Sequence, residues 1–168
     1  MANCANITAE HLRSILNYDP DTGVFTWRQK TGPTAKIGAV AGGVNKRGYW
    51  YIRVGGSKQL AHRLAWLYMV GEWPTTDIDH LNLNKTDNRW DNLRAATDAQ
   101  NKANSALYSN NLSGFKGVSR RPCGYKWRAR IQVNKTLKNL GDFSSPELAH
   151  AAYLKAAEEF FGEFARAE

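Results

Sequence analysis

The sequence predicts an α+β chain that closes with a three-stranded antiparallel sheet packed on one helix, and two kinds of observation carry that reading. Short alternating runs bounded by Gly, Asn and Asp mark strands, while longer stretches with apolar residues three and four apart mark helices. A central stretch from Asp77 to Asn104 fits neither pattern. It is crowded with Asn, Asp and Thr, and only Ile78, Leu81, Leu83, Trp90 and Leu93 are left to anchor it.

Taken in order, residues 1–17 read as a leading segment and a short helix, capped by Thr8 and striped by Leu12, Ile15 and Leu16. Asn17 to Gly23 is dense in turn formers, and Val24 to Arg28 alternates as a strand. Gly32 to Gly43 reads as a loop with limited structure. Tyr49 to Val54 forms a strand, and Gly55-Gly56-Ser57 turns it into a hairpin. Leu60, Leu64, Leu67 and Tyr68 stripe a helix that Gly71 and Pro74 end. Thr97 or Asp98 can cap a short helix over Asp98 to Lys102. After a polar linker, Ser105 to Asn111, strands are expected over Phe115–Ser119, Lys126–Val133 and Thr136–Leu140. A last helix follows, capped by Ser144 or Ser145 with Pro146 in its first turn, its face running Leu148, Ala152, Ala156, Phe160 beside Ala149 and Tyr153.

The chain has 168 residues, and 23 Lys and Arg against 15 Asp and Glu give a formal charge of +8. That balance attracts polyanions, nucleic acid first. Hydrophobic residues make up 42% of the chain, enough for folded cores. No apolar run approaches the roughly 20 residues that span a bilayer, and no secretory signal pattern opens the chain, so a cytoplasmic protein is expected. The two cysteines, Cys4 and Cys123, lie too far apart and too few for a zinc cage. Any metal must therefore be held by oxygen and nitrogen.

Asp79-His80 sets a carboxylate beside an imidazole at the end of an expected strand. Phosphodiester hydrolysis needs an activated water and a cation on the phosphate. A neutral histidine suits the first, and a hard divalent ion on carboxylate and amide oxygens suits the second. Alone, an Asp-His pair is more often just a polar turn.

The ordered pieces Asp79-His80, Asn82, Asn84, Asp87-Asn88-Arg89, Asn92-Leu93-Arg94, Thr97 and Asn101, preceded by Leu60-Ala61-His62-Arg63-Leu64-Ala65, resemble the His-Asn-His (HNH) endonucleases. The match is to their phage-type homing branch, over roughly residues 48–104. The resemblance implies a central ββα-metal nuclease motif. In it His80 is the general base, Asp79 and Asn101 hold one divalent ion (Mg²⁺, with Mn²⁺ as substitute), and Asn92 ties the loop and orients His80. The ion would engage the scissile phosphate and the 3′ leaving oxygen. Many members carry histidine as the last ligand where this chain has Asn101, which makes zinc a less natural choice. His62 reads as packed or phosphate-contacting. Arg63, Arg89 and Arg94 stand open between phosphate contact and a solvated face. Asn82, Asn84 and Asn88 read as loop-shaping residues.

Residues 112–166 resemble the Apetala-type (ethylene-response-factor) DNA-binding domain in Ser113–Val118, Lys126–Ile131, Leu140–Phe143 and Glu147–Tyr153. The implied sheet lies in the major groove of double-stranded DNA. Lys126, Arg128 and Arg130 alternate with Trp127, Ala129 and Ile131, giving one basic and one apolar face with Trp127 toward the helix. Arg120, Arg121, Lys126, Arg128, Arg130 and Lys138 are the candidate contacts. Three segments are thus expected: 1–47, an N-terminal helix and hairpin; 48–106, the nuclease domain; and 112–168, the DNA reader. A DNA-binding regulator carrying an inactive nuclease remnant is the competing reading, and RNA binding a weaker third. Target sequence, nicking against double-strand cleavage, and monomer against homodimer stay open.

Overall fold

The structure, a computed structural model, describes residues 7–33, 35–107, 111–122 and 124–166. Cys4, Cys123 and part of the 105–111 linker lie outside them. The chain divides into two compact units, residues 1–95 and 96–168. The α+β class holds, with short sheets and helices in both units.

In the first unit, helix α1 (Ala9–Ile15) starts at Thr8, whose hydroxyl accepts the His11 amide at 3.1 Å. It stops one residue before the expected stripe ends. Leu16 instead opens strand β1 (Leu16–Tyr18), which pairs antiparallel with β2 (Phe25–Trp27). The turn between them is held by the Asp19 carboxylate, which accepts the amides of Asp21 and Thr22. The glycine-rich loop is more ordered than its composition implied. Val40 bridges Thr26, the Ala41 amide reaches the Phe25 carbonyl, and β3 (Gly43–Val44) joins β4 (Trp50–Val54). Gly55 and Gly56, both at positive φ, turn β4 into β5 (Ser57–Leu60) as expected.

This hairpin runs straight into helix α2 (Ala61–Val70), which Gly71 ends in the left-handed conformation. Leu64 and Leu67 are buried against Leu12, Leu16, Phe25 and Ile52 in one hydrophobic cluster. The N-terminal segment therefore shares its core with the hairpin–helix element. Strand β6 (Asp77–His80) pairs with β7 (Leu93–Ala96), and Ile78 and Leu93 add to that core. Among the described residues no helix is long and apolar enough to cross a membrane.

The second unit begins with helix α3 (Asp98–Asn104). Thr97 caps it in a reciprocal box with Gln100. Strands β8 (Val118–Arg120), β9 (Trp127–Val133) and β10 (Thr136–Phe143) form the expected antiparallel sheet, with β9 in the middle. The first strand starts later than its alternation suggested, because Gly117 sits at φ +73 and breaks extended backbone. The third runs on to Phe143 through an irregularity between Asn139 and Gly141.

Helix α4 (Pro146–Phe161), capped by Ser145, lies on this sheet. Its buried face is Ala149, Tyr153, Ala156, Ala157 and Phe161, while Leu148 and Phe160 are exposed. The expected face is thus displaced by one residue at its ends: Ala149 in place of Leu148 meets Ala129, and Phe161 in place of Phe160 joins Tyr153, Ala156 and Ala157 against Ile131. Close approach decides this, since Tyr153 needs the space above Gly117. A Cβ there would stand 2.1 Å from the Tyr153 ring. Gly117→Ala combines overpacking with a left-handed alanine. It should lower stability by about 3 kcal/mol in urea unfolding, with the loss shared by fluorescence and far-UV dichroism.

Candidate active site

Strand β6 ends on the two residues that carry the expected chemistry. Asp79 and His80 are both buried, at 5% and 4% exposure. The strand stops because the chain turns back at once: the Leu83 amide donates to the His80 carbonyl at 3.0 Å, with Leu83 at φ +62. His80 Nε2 lies 3.4 Å from Asn88 Oδ1. The Asn88 amide cannot turn over freely, because its Nδ2 donates to the Thr86 carbonyl at 3.1 Å. An oxygen facing Nε2 requires a proton there, so the lone pair of neutral His80 sits on Nδ1. Burial lowers the His80 pKa below its ordinary value, opposed by Asn88, Asp79 and Asp87. The ring is thereby biased toward its neutral form.

The loop that delivers Asn88 has almost no apolar residues and is built from side chains instead. Asn82 Oδ1 accepts the Asn84 amide at 2.9 Å, and Asn84 Oδ1 accepts the Thr86 amide at 3.1 Å. Asp87 accepts from Asn82 Nδ2 and from the Arg89 guanidinium, which holds its carboxyl down at about 2. Asn92 closes the loop. Its Oδ1 accepts the Asn82 amide at 3.1 Å, and its Nδ2 donates to Asn82 Oδ1 at 3.0 Å and to the Asp87 carbonyl at 2.8 Å. Asn92 thus ties the loop, while the side chain bonded to His80 is Asn88.

Helix α2 supplies the ring beside the base. His62, 4% exposed, meets His80 edge to face with centroids 4.9 Å apart. Tyr49 lies 5.4 Å from His62 and carries Lys85 over its own ring at 4.8 Å. Burial, then His80 and Arg63, pushes the His62 pKa down to about 3, so this ring is neutral. Its Nδ1 is buried with no hydrogen-bond partner.

Two expected phosphate contacts are engaged within the fold. Arg63 donates to the carbonyls of Thr76 (3.3 Å) and Pro74 (3.2 Å), bracing the segment before β6. Arg94 donates through Nε and Nη2 to Asp79 Oδ2, each at 3.2 Å. Asn101 is half-buried on α3, in the second unit. Asp79 and Asn101 offer a carboxylate and an amide oxygen, hard donors of the kind that suit Mg²⁺ or Mn²⁺, so the donor chemistry fits. Among the described residues no group of three or more His, Cys, Asp or Glu gathers around a metal position.

In the second unit, cross-strand partners share a face. Ala129 and Ile131 are buried under α4, so Arg128, Arg130 and Gln132 point the other way. Arg128 forks onto Asp142, at 2.7 and 2.9 Å, and Arg121 approaches the same carboxylate at 3.5 Å. Arg130 reaches Ser119 Oγ at 3.2 Å. Lys126 and the neighbouring Tyr125 are exposed. Trp127 packs with Val118, Ala129 and Ala149, on the helix side. Arg120 pairs opposite Trp127, and its guanidinium lies 5.9 Å from that ring. Lys138 pairs opposite Ile131, with its ammonium 4.3 Å from the Phe160 ring. Both therefore belong to the helix side of the sheet.

Sequence reasoning read Asn88 as a loop-shaping residue and assigned the N-terminal hairpin no role. The Tyr18 hydroxyl donates to the Asn88 carbonyl at 2.7 Å, across 70 residues. No local periodicity signals a contact of that span.

With this geometry in place, comparison with known proteins adds family information. Residues 59–103 match the model of a family described as HNH endonuclease. A protein of Acanthamoeba polyphaga mimivirus, named "Uncharacterized HNH endonuclease L560", is 33% identical over 125 residues, covering 69% of this chain and 64% of that protein. The match thus spans a little under two thirds of its relative's length. No solved structure matches. The matched segment contains Asp79, His80, Asn92 and Asn101, and its likeness is to the HNH endonucleases.

Proposed function

We propose that the chain is a metal-dependent DNA endonuclease of the homing type, hydrolysing phosphodiester bonds with His80 as general base. The observation that carries it is His80 itself: buried, biased toward its neutral form, and facing Asn88 Oδ1 at 3.4 Å from Nε2, a contact that favours the Nε2–H tautomer, whose basic nitrogen is Nδ1. A water beside Nδ1 would give its proton to the ring as its oxygen adds to phosphorus. Asp79 and Asn101 would hold one divalent ion, Mg²⁺ or Mn²⁺, which supplies charge stabilisation at the phosphate and the leaving oxygen. Arg94 balances the Asp79 carboxylate, and Asn92 keeps the loop closed under turnover. Residues 48–106 form the nuclease domain in this reading.

Residues 112–168 are the DNA reader, an Apetala-type sheet whose outer face carries Arg128 and Arg130. Lys126 and Arg121 stand near its edge. Arg128 is bonded to Asp142 through Nε and Nη2, which fixes its guanidinium on this face. The partner is double-stranded DNA, and the setting is the cytoplasm of a host cell that carries a phage-like mobile element. The competing role, a DNA-binding regulator with a silent nuclease segment, is separated from this one by cleavage.

Supercoiled plasmid incubated with the protein and Mg²⁺ or Mn²⁺ should convert to nicked or linear product, and EDTA should stop the reaction. His80→Ala should lower the rate by at least about 100-fold while leaving the gel shift intact. A variant that cuts at the parental rate would remove His80 from the chemistry. A tight shift with no cleavage in either metal would favour the regulator. The double variant Arg128→Ala/Arg130→Ala should bind DNA more weakly and flatten the plot of log K against log salt by about two units of slope. An unchanged slope and affinity would show that this face does not dock.

A further inference from the structure

The N-terminal hairpin touches the chain at the residue that orients the base. Tyr18, at the end of β1, is 4% exposed and locked between Phe25, at a centroid distance of 4.7 Å, and Tyr68, at 5.7 Å. Its hydroxyl donates to the Asn88 carbonyl at 2.7 Å. Two more contacts flank that bond. The Trp90 amide donates to the Pro20 carbonyl at 2.9 Å, and Gly23 lies so near that a Cβ would meet Asn88 C and Arg89 N at 2.4 Å. The hairpin thus grips residues 88–90 on one side, while the Asn88 side chain reaches His80 on the other.

We propose that Tyr18 is a positioning residue for the general base: by holding the Asn88 backbone it sets the Asn88 amide, and through that amide the tautomer and ring plane of His80. This deepens the nuclease reading and rests on it for its catalytic consequence. The structural half stands without it. A merely structural Tyr18 would anchor a hairpin that needs no particular partner, and the ring stack with Phe25 and Tyr68 already does so. The hydroxyl adds nothing to that stack. Its direction toward the backbone carbonyl of Asn88, the residue whose side chain meets His80, gives it a different task. A displacement of about 1 Å in a catalytic group can cost on the order of 100-fold in rate, so a bond acting at second hand should be worth about tenfold.

The test uses the full chain and two readouts. Tyr18→Phe keeps the ring and removes the bond. Long-range proton–nitrogen spectra of histidine-labelled protein, recorded without metal or DNA at neutral pH, should show parental His80 in one neutral tautomer with Nε2 protonated. Tyr18→Phe should show a mixture, as should Asn88→Ala. In single-turnover plasmid cleavage, Tyr18→Phe should fall about tenfold and Asn88→Ala further, with DNA affinity unchanged. The double variant should cut no more slowly than Asn88→Ala alone, because Tyr18 acts only through Asn88. A pure Nε2–H tautomer in Tyr18→Phe would overturn the proposal, as would rate losses that multiply in the double variant. If the parental protein cuts no DNA, the nuclease reading fails and the tautomer spectra still decide the role of Tyr18.

Discussion

Everything around His80 depends on one constraint: a loop without a hydrophobic core must satisfy its own backbone. Residues 81–92 lie between two short paired strands and offer little apolar area to hold them in place. Buried polar groups left unpaired cost about 1–3 kcal/mol each, so the loop can persist only as a closed hydrogen-bond network. Asn92 makes that closure. With both its amide donor and its carbonyl oxygen committed to residues 82 and 87, one side chain spans the loop from entry to exit. The Asx-type turns of Asn82 and Asn84 fill the span between. Asparagine suits such work because it offers both donor and acceptor on a short, stiff stem. A carboxylate at position 92 could accept but not donate.

This network also explains which parts were legible in the sequence. Features written in adjacent residues came through: the Gly55-Gly56 turn, the helix cap at Thr97, the Gly71 stop, and the alternation that separates Arg128 and Arg130 from Ala129 and Ile131. The end of β6 at Asp79-His80 was legible for the same reason. What the sequence concealed is set by tertiary contact. Leu16 carries a helical spacing, yet β2 recruits it into a strand. The α4 face shifts because Tyr153 must clear Gly117. Asn88 looks like its neighbouring asparagines until a hairpin 70 residues upstream fixes its carbonyl.

The C-terminal sheet shows how a charge count differs from a charged face. Basic residues are spread along all three strands, but register assigns them. Once Ala129 and Ile131 are fixed under α4, Arg120 and Lys138 fall on the helix side by pairing with Trp127 and Ile131. Each then lies over an aromatic ring, a use of cations that covers apolar surface. The outer face is left with fewer cations, placed at alternate positions along one strand. Asp142 on that face tempers the charge and aims Arg128. Fewer, aimed guanidiniums suit selective contact better than a diffuse basic surface does.

The surroundings of His80 carry the same logic into the interior. A base that must accept a proton gains from burial only while a partner keeps it correctly oriented, because burial alone lowers its affinity for the proton. Asn88 and the nearby carboxylates Asp79 and Asp87 offset that loss, whereas His62 has no such compensation and is driven down to about 3. The two imidazoles sit in contact, and burial lowers the pKa of both. His62 stays an uncharged wall, and under the proposed mechanism a neutral wall would add no repulsion as His80 took up a proton. Both rings are equally closed to solvent, and what separates them is that Asn88 Oδ1 faces His80 Nε2 while the buried Nδ1 of His62 meets no hydrogen-bond partner.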